Sequence, residues 1–342
     1  MAESGSMNFM NFAGQGNVGA GAETLRYESG AVYVGAVQNN KRNGNGKMTY
    51  TDGSVYEGEW KDGFFQGKGR YVWASGAVYN GEWAADKQNG RGAYTWPDGK
   101  VYDGEWKNGE ITGIGRCTYA SGAVYEGQWL QGKRHGRGRY TFADGRVYEG
   151  EWSADKRNGN GRITQVNGNV YEGTWKNNLP EGNGKMTYAD GTVYEGEWRN
   201  GLLNGNGRYV SSDGYVYDGD WADGKKSGKG TMQYPDGRVY DGDWANDKIN
   251  GNGRMTWLEG NVYEGEWKDE MFHGKGKFVW FDGAAYDGDW AENKKQGIGT
   301  MTWPNNDMYC GEWAGDIQHG RGRYSWSNGA YKDCYFINGV MQ

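Results

Sequence analysis

Tyrosine returns at a fixed twenty-three-residue interval from Tyr33 to Tyr309, thirteen times without an insertion or deletion. So strict a period makes each stretch one structural unit, too small to bury a core alone, that closes its apolar face on its neighbours. Gly stands two positions after each of these tyrosines, from Gly35 to Gly311. Trp stands four positions after in twelve of the thirteen, from Trp60 to Trp313, with Val37 in the first. A Gly-x-Gly pair falls at the eleventh and thirteenth positions after every Tyr, from Gly44/Gly46 to Gly320/Gly322. A second aromatic stands at the seventeenth position after the Tyr in eleven repeats, with Gln165 and Ser211 as the exceptions.

Turn residues bracket these words. Asp-Gly, Ser-Gly or Asn-Gly precedes most of the tyrosines, as at Asp52-Gly53 and Asp190-Gly191. Such dipeptides are the strongest short hairpin signal, because both central residues of a type I′ turn need positive φ. Each repeat therefore reads as two short strands, V-Y-x-G-x-W and G-x-G-[KR]-x-T-[YW], joined by tight turns. Strand alternation places Tyr, Gly and Trp of the first strand on one face, with both Gly residues and the late aromatic of the second. The opposite face is charged. Acids stand one and three positions after Tyr, each in ten of thirteen repeats, and Lys or Arg stands at the fourteenth position in ten. Cross-strand charge pairs of this kind contribute a few tenths to about 1 kcal/mol each.

The glycines need a reason, since Gly inside a strand costs roughly 0.5–1 kcal/mol. The composition supplies one. The chain holds 64 Gly, 18 Trp and 26 Tyr, and its mean hydropathy of -0.98 rules out a thick aliphatic core. Bare glycine backbone gives an aromatic ring a floor to lie on. A ring buries ~150–250 Å², which at ~25 cal/mol per Å² outweighs the glycine penalty even when half enclosed. The expected fold class is all-β: a single-layer antiparallel sheet with one aromatic, glycine-floored face.

Y-x-G-x-W followed by G-x-G at this period resembles the MORN (membrane occupation and recognition nexus) repeat, in its repeat-only form. The resemblance covers residues 21–342 and implies an elongated, curved and twisted stack of about fourteen hairpins with an aromatic groove. Residues 1–20 read as a flexible tail, and 21–32 as a half-repeat cap in register with a second strand. Residues 33–330 read as thirteen repeats, the last one residue short, with Tyr331, Asp333 and Tyr335 replacing Tyr, Gly and Trp. Residues 331–342 read as an atypical cap strand, with Tyr331, Tyr335 and Phe336 as a self-association edge and a homodimer through the C-terminal repeats.

Function follows by elimination and by deviation. A net charge of -6 argues against a nucleic-acid binder. Three cysteines, Cys117, Cys310 and Cys334, are too few for a secreted disulfide scaffold and point to a reducing, cytoplasmic setting. His135, His273 and His319, the only histidines, recur at one register, too far apart along a strand stack to share a metal. Carboxylate spacings repeat everywhere, whereas an active site should break the pattern once. No catalytic residue, cofactor or metal is expected.

The expected activity is non-enzymatic scaffolding. Partner segments would lie in the aromatic groove, named here at Tyr56, Trp60, Trp73, Tyr79, Trp83, Trp96, Trp257, Tyr263, Trp267, Trp280, Tyr286, Trp290, Trp303 and Trp326. The pairs eight and nine positions after Tyr read as the middle of the first loop, and some are apolar: Phe64-Phe65, Leu202-Leu203 and Met271-Phe272 would add docking contacts. Others are basic. Lys133, Arg134, Arg137, Lys156, Arg157, Lys225 and Lys226 would make the alternative, a peripheral membrane adaptor on anionic phospholipids or phosphoinositides. The resemblance implies a eukaryotic cytoskeletal setting: the axoneme of a cilium or flagellum, of radial spoke or central apparatus type, or a protist cortex.

Overall fold

The computed structural model describes residues 21–342, and the tail expected over residues 1–20 lies outside them. The chain falls into two compact units, Met1–Asp155 and Lys156–Gln342. The described part of the first holds twelve strands and the second seventeen. Within each unit, strands pair antiparallel with their sequence neighbours, with no crossover and no helix among the described residues. The all-β reading and the aromatic face hold.

Repeat two shows the rule. Its first strand, Val55–Lys61, turns through Asp62-Gly63 into a longer second strand, Phe64–Val72. Asp62 and Gly63 have φ of 53° and 93°, so this is the type I′ hairpin. The Asp-Gly, Ser-Gly and Asn-Gly dipeptides before most of the tyrosines, expected to form that turn, do something else. At Tyr50–Ser54 the Gly53 amide donates to the Tyr50 carbonyl and the Tyr50 amide to the Ser54 carbonyl, and only Gly53 is left-handed. That is a three-residue loop, a type I turn with a bulged glycine.

Register is regular on one side of the second strand and bulged on the other. Gly67, Lys68 and Gly69 pair in step with Trp83, Glu82 and Gly81. Towards their own hairpin, Gly58 faces Gly69 but Trp60 faces Phe65, so two extra residues are accommodated opposite Glu59. Gly67, the first of the Gly-x-Gly pair, takes the left-handed conformation there, with φ 58°. The Glu59 carboxylate accepts from the exposed Lys68 amide at 2.8 Å. A side-chain oxygen three positions after Tyr does the same in eight further repeats. The expected charge ladder is therefore split. The acid one position after Tyr pairs with the preceding repeat's base, as in Arg116–Glu126 at 3.3 Å and Lys185–Glu195 at 3.8 Å. The acid three positions after Tyr closes the bulge.

The core is the row of Tyr and Trp. All thirteen tyrosines are 0–1% exposed and the twelve tryptophans 3–8%. Each Tyr hydroxyl donates to the carbonyl three positions on, as from Tyr56 to Glu59 at 2.9 Å. Each Trp Nε1 donates to a glycine carbonyl of the preceding repeat, as from Trp83 to Gly69 at 3.1 Å, which ties neighbouring repeats together. Tyr56 sits edge-on between Trp60 at 5.0 Å and Trp83 at 5.5 Å. Glycine is obligatory beneath it: a Cβ on Gly69 would lie 2.6 Å from Tyr56 Cζ.

At the N-terminal end, Glu23–Arg26 pairs with Val32–Gln38 as a second strand would, with Leu25 opposite Tyr33. At the other end the expected register is corrected. Lys332, Cys334 and Phe336 stand opposite Tyr324, Gly322 and Gly320, so they, and not Tyr331, Asp333 and Tyr335, hold the Tyr, Gly and Trp places. The thirteenth repeat is of full length, running from 309 to 331. Phe336 is buried and covers Tyr309 edge-on at 5.2 Å.

Candidate functional site

The aromatic face has two rows of rings, and they differ in what they leave uncovered. Tyr56, Tyr79, Tyr263, Tyr286, Trp60, Trp83, Trp267 and Trp290, expected in the groove, belong to the buried inner row. Their ring surfaces and polar atoms are spent on one another and on the backbone, and burial pushes their hydroxyls upward, with Tyr194 of the same row at about 12. They build the face without being available on it.

The outer row, or rim, is the late aromatic of eleven repeats, placed where the second strand has just ended. Trp73, Trp96, Trp257, Trp280 and Trp303 are half-buried and Trp326 is 39% exposed. Each leans on the side chain two positions before a rim ring, its own or its neighbour's, and shows its other side to solvent. Trp257 lies 5.5 Å from Phe278, Trp280 4.6 Å from Phe278, and Trp303 5.5 Å from Tyr324.

The residues eight and nine positions after Tyr are not in a loop. The bulge adds length to the second strand, so they open it and face opposite ways. Phe64 and Leu202 are exposed on the charged face, while Met271 is half-buried. Phe65 is buried and stacks on Tyr56 at 3.8 Å, Phe272 stacks on Tyr263 at 3.8 Å, and Leu203 is half-buried opposite Trp198. In place of apolar docking loops, each repeat thus has one residue turned towards the inner rings and one turned towards the charged face.

The basic pairs split in the same way. Lys133, Lys156 and Lys225 are exposed, as is Arg137 in the bulge. Arg134 pairs with Asp155 at 3.0 Å and lies 4.5 Å over Trp152. Arg157 lies 4.3 Å over Trp175, and Lys226 4.8 Å over Trp244, where burial holds its ammonium below the usual lysine range. Nearly half of the expected lipid contacts thus serve as lids on the inner tryptophans.

At the end strand, Tyr331 and Tyr335 are exposed, whereas Phe336 is core. His135, His273 and His319 sit in the bulges inside second strands. All three cysteines are free. Among the described residues no three His, Cys, Asp or Glu gather as a metal site, and no helix is long and apolar enough to cross a membrane. Sequence reasoning missed the cations nine positions after Tyr as ring partners. Their alternation with Phe and Ile at the same register was the available signal.

Comparison with known proteins gives a family and little else. No curated protein matches. Among solved structures, the Drosophila melanogaster SAS-4 (dCPAP) TCP domain, in complex with a proline-rich motif of Ana2, is 13% identical. It covers 59% of this chain and 90% of its own, with a TM-score of 0.29. The TCP10 domain of Danio rerio CPAP is 13% identical over 70% of this chain and 96% of its own, at 0.26. A streptogramin B lyase is 14% identical over 78% and 90%, at 0.14. Overlaps this low carry no argument about this chain. The family model described as MORN repeat matches thirteen successive segments, from 33–55 to 309–331. Its segments begin at the buried tyrosines, and their hairpins carry the glycine-floored rings; this chain belongs to the MORN-repeat family.

Proposed function

We propose that the chain is a non-enzymatic scaffold that holds segments of partner proteins along its aromatic rim. We further propose that it works in a eukaryotic cytoskeletal assembly, the axoneme of a cilium or flagellum or a protist cortex. The observation that carries the reading is the division of labour between the two rows. The inner row completes the core of every repeat, so the half-exposed rim tryptophans stand beyond what folding needs, and exposed apolar rows of this kind mark interaction surfaces. Family membership supports a repeat scaffold with protein-interaction or membrane-binding roles. The cytoskeletal placement rests on the resemblance alone. A second copy is a further proposed partner, docking on the end strand through exposed Tyr331 and Tyr335.

The test is detergent fractionation of the source cell with tagged wild-type protein and with the triple variant Trp257→Ala, Trp280→Ala, Trp303→Ala. The scaffold reading expects the wild type in the detergent-insoluble pellet with axonemal or cortical companions, and those companions lost from the variant. Release of the wild type with membrane markers in mild detergent would overturn it in favour of anionic-lipid binding through Lys133, Lys156 and Lys225. Light scattering at micromolar concentration, with Tyr331→Ser and Tyr335→Ser as the comparison, tests the dimer; a single-chain mass would reject it.

A further inference from the structure

We propose that the rim of the C-terminal unit from Tyr234 to Trp326 is a binding site for a basic, proline-rich segment in the polyproline II conformation. The inference rests on the reading of the chain as a segment-binding scaffold and names the class of segment.

Three observations converge on this stretch. Four successive repeats place Trp at the rim, at 257, 280, 303 and 326, whereas elsewhere no more than two do so in a row. The next residue in line is Pro235, Leu258, Phe281 and Pro304. Leu258 and Phe281, 75% and 74% exposed, are the most exposed large apolar side chains among the described residues. The residue after that is acidic in three of these repeats, Asp236, Glu259 and Asp282. Asp236 is bridged to Arg238 at 2.8 Å. Among the described residues, Glu259 and Asp282 are in no ion pair and are exposed. The other cation near these rings, Lys295, lies closer to the inner Trp313, 4.7 Å over its ring, than to the rim Trp280, at 5.8 Å. The site is therefore a strip of indole rings, rimmed by apolar knobs, with two uncompensated carboxylates beside it.

The pitch selects the occupant. Neighbouring strands lie ~4.8 Å apart, so the rim ring recurs about every 9.6 Å. A polyproline II helix rises ~3.1 Å per residue with three residues per turn, and presents the same side about every 9.3 Å. Over the three intervals between four rings the mismatch stays near ~1 Å. An α-helix returns one face after seven residues, about 10.5 Å, and drifts by about 3 Å over the same span. An extended strand repeats its face every second residue, about 6.8 Å, and falls out of step at once. Only the polyproline helix sets one residue in three on successive rings. Its preformed backbone suits flat aromatic grooves, and its outward residues, if Lys or Arg, meet Glu259 and Asp282.

The test uses the full chain and labelled twelve-residue peptides read by fluorescence anisotropy: four Arg-Pro-Pro triplets, four Asp-Pro-Pro triplets, and four Arg-Ala-Ala triplets. The expected result is saturable binding of the Arg-Pro-Pro peptide, with each of the other two at least tenfold weaker. Trp280→Ala and the double change Glu259→Lys, Asp282→Lys should each weaken it at least tenfold, and Trp96→Ala should leave it unchanged. Circular dichroism of each variant checks that the fold survives. Equal binding of the Arg-Ala-Ala peptide, or indifference to Trp280→Ala, overturns the proposal. If no peptide binds but the rim triple variant still loses its cellular companions, the polyproline assignment falls and the scaffold stands. If the companions are also kept, both fall.

Discussion

The inner and outer rows of aromatic rings share one face of each hairpin, yet they obey different rules. The inner row is uniform: Tyr in all thirteen repeats and Trp in twelve, each ring sealed and each polar atom bonded to backbone. The rim ranges from Trp through Tyr and Phe to Gln165 and Ser211, because only one side of a rim ring is packed. The difference teaches where to look for function in a repeat protein. Folding consumes the positions that never change, and recognition is left to those that the fold tolerates in several forms.

That contrast can be broken in graded ways. The largest effect is expected from alkali. Burial raises the inner-row hydroxyls above their ordinary value of 10.0, to about 12 at Tyr194 and Tyr309. A phenol whose folded pKa is raised contributes stability that is fully present below its unfolded value and is lost as pH rises through the folded one. The arrays should therefore unfold between about pH 10 and pH 12, with tyrosinate absorbance and circular dichroism changing together. Smooth titration of these phenols in a folded chain would refute the seal.

Next, Trp267→Ala in the inner row should cost about 3–5 kcal/mol, read by urea unfolding or by hydrogen exchange across its repeat. Gly265→Ala should follow at about 2–3 kcal/mol, because its Cβ would lie 2.6 Å from the Lys275 carbonyl oxygen and 2.8 Å from Tyr263 Oη. The rim change Trp280→Ala should cost only about 1 kcal/mol, since a half-buried ring loses about half its transfer energy. A rim cost equal to the inner cost would erase the distinction. Smallest, and of opposite sign, Ala85→Gly should stabilise by about 0.5 kcal/mol, because Ala85 holds the left-handed conformation at φ 48° and the relief of that strain exceeds the entropy cost of Gly. Melting temperature is the readout.

Much of this was legible from the period alone. A repeat that carries Tyr-x-Gly-x-Trp and Gly-x-Gly at fixed spacing determines the hairpin, its buried face and the ring over glycine, because alternation leaves those residues no other placement. Four features were not legible from the motifs. The type I′ turn carries sequences as unlike as Asp62-Gly63, Ala85-Asp86 and Gln131-Gly132, while the Asp-Gly pairs just ahead of the repeat tyrosines, such as Asp52-Gly53, serve the other turn. The bulge opposite Glu59 lengthens the second strand and turns Phe65 and, in its own repeat, Arg134 onto the rings, and no short motif announces it. Tyr331, one place ahead of the true register, imitates the motif tyrosine, whereas the unbroken period points to Lys332, and the pairing of Lys332 with Tyr324 and of Phe336 with Gly320 holds that register. The rim and the core could not be separated by residue type, because both are aromatic.

The bond from each tryptophan back to the glycine of the preceding repeat has a consequence for how such a gene can change. Within each unit no repeat is closed by its own residues; the ring that covers one tyrosine is lent by the next repeat along. Excision of one whole period within either unit, wherever the cut begins, removes one lender and one borrower together and rejoins a borrower to a lender. A deletion of any fractional period strands a tyrosine without its cover. Copy number is thus free to drift by whole units while the spelling inside each unit is held, and descendants of such a chain would differ first in length, then in their rims, and last in their buried rings.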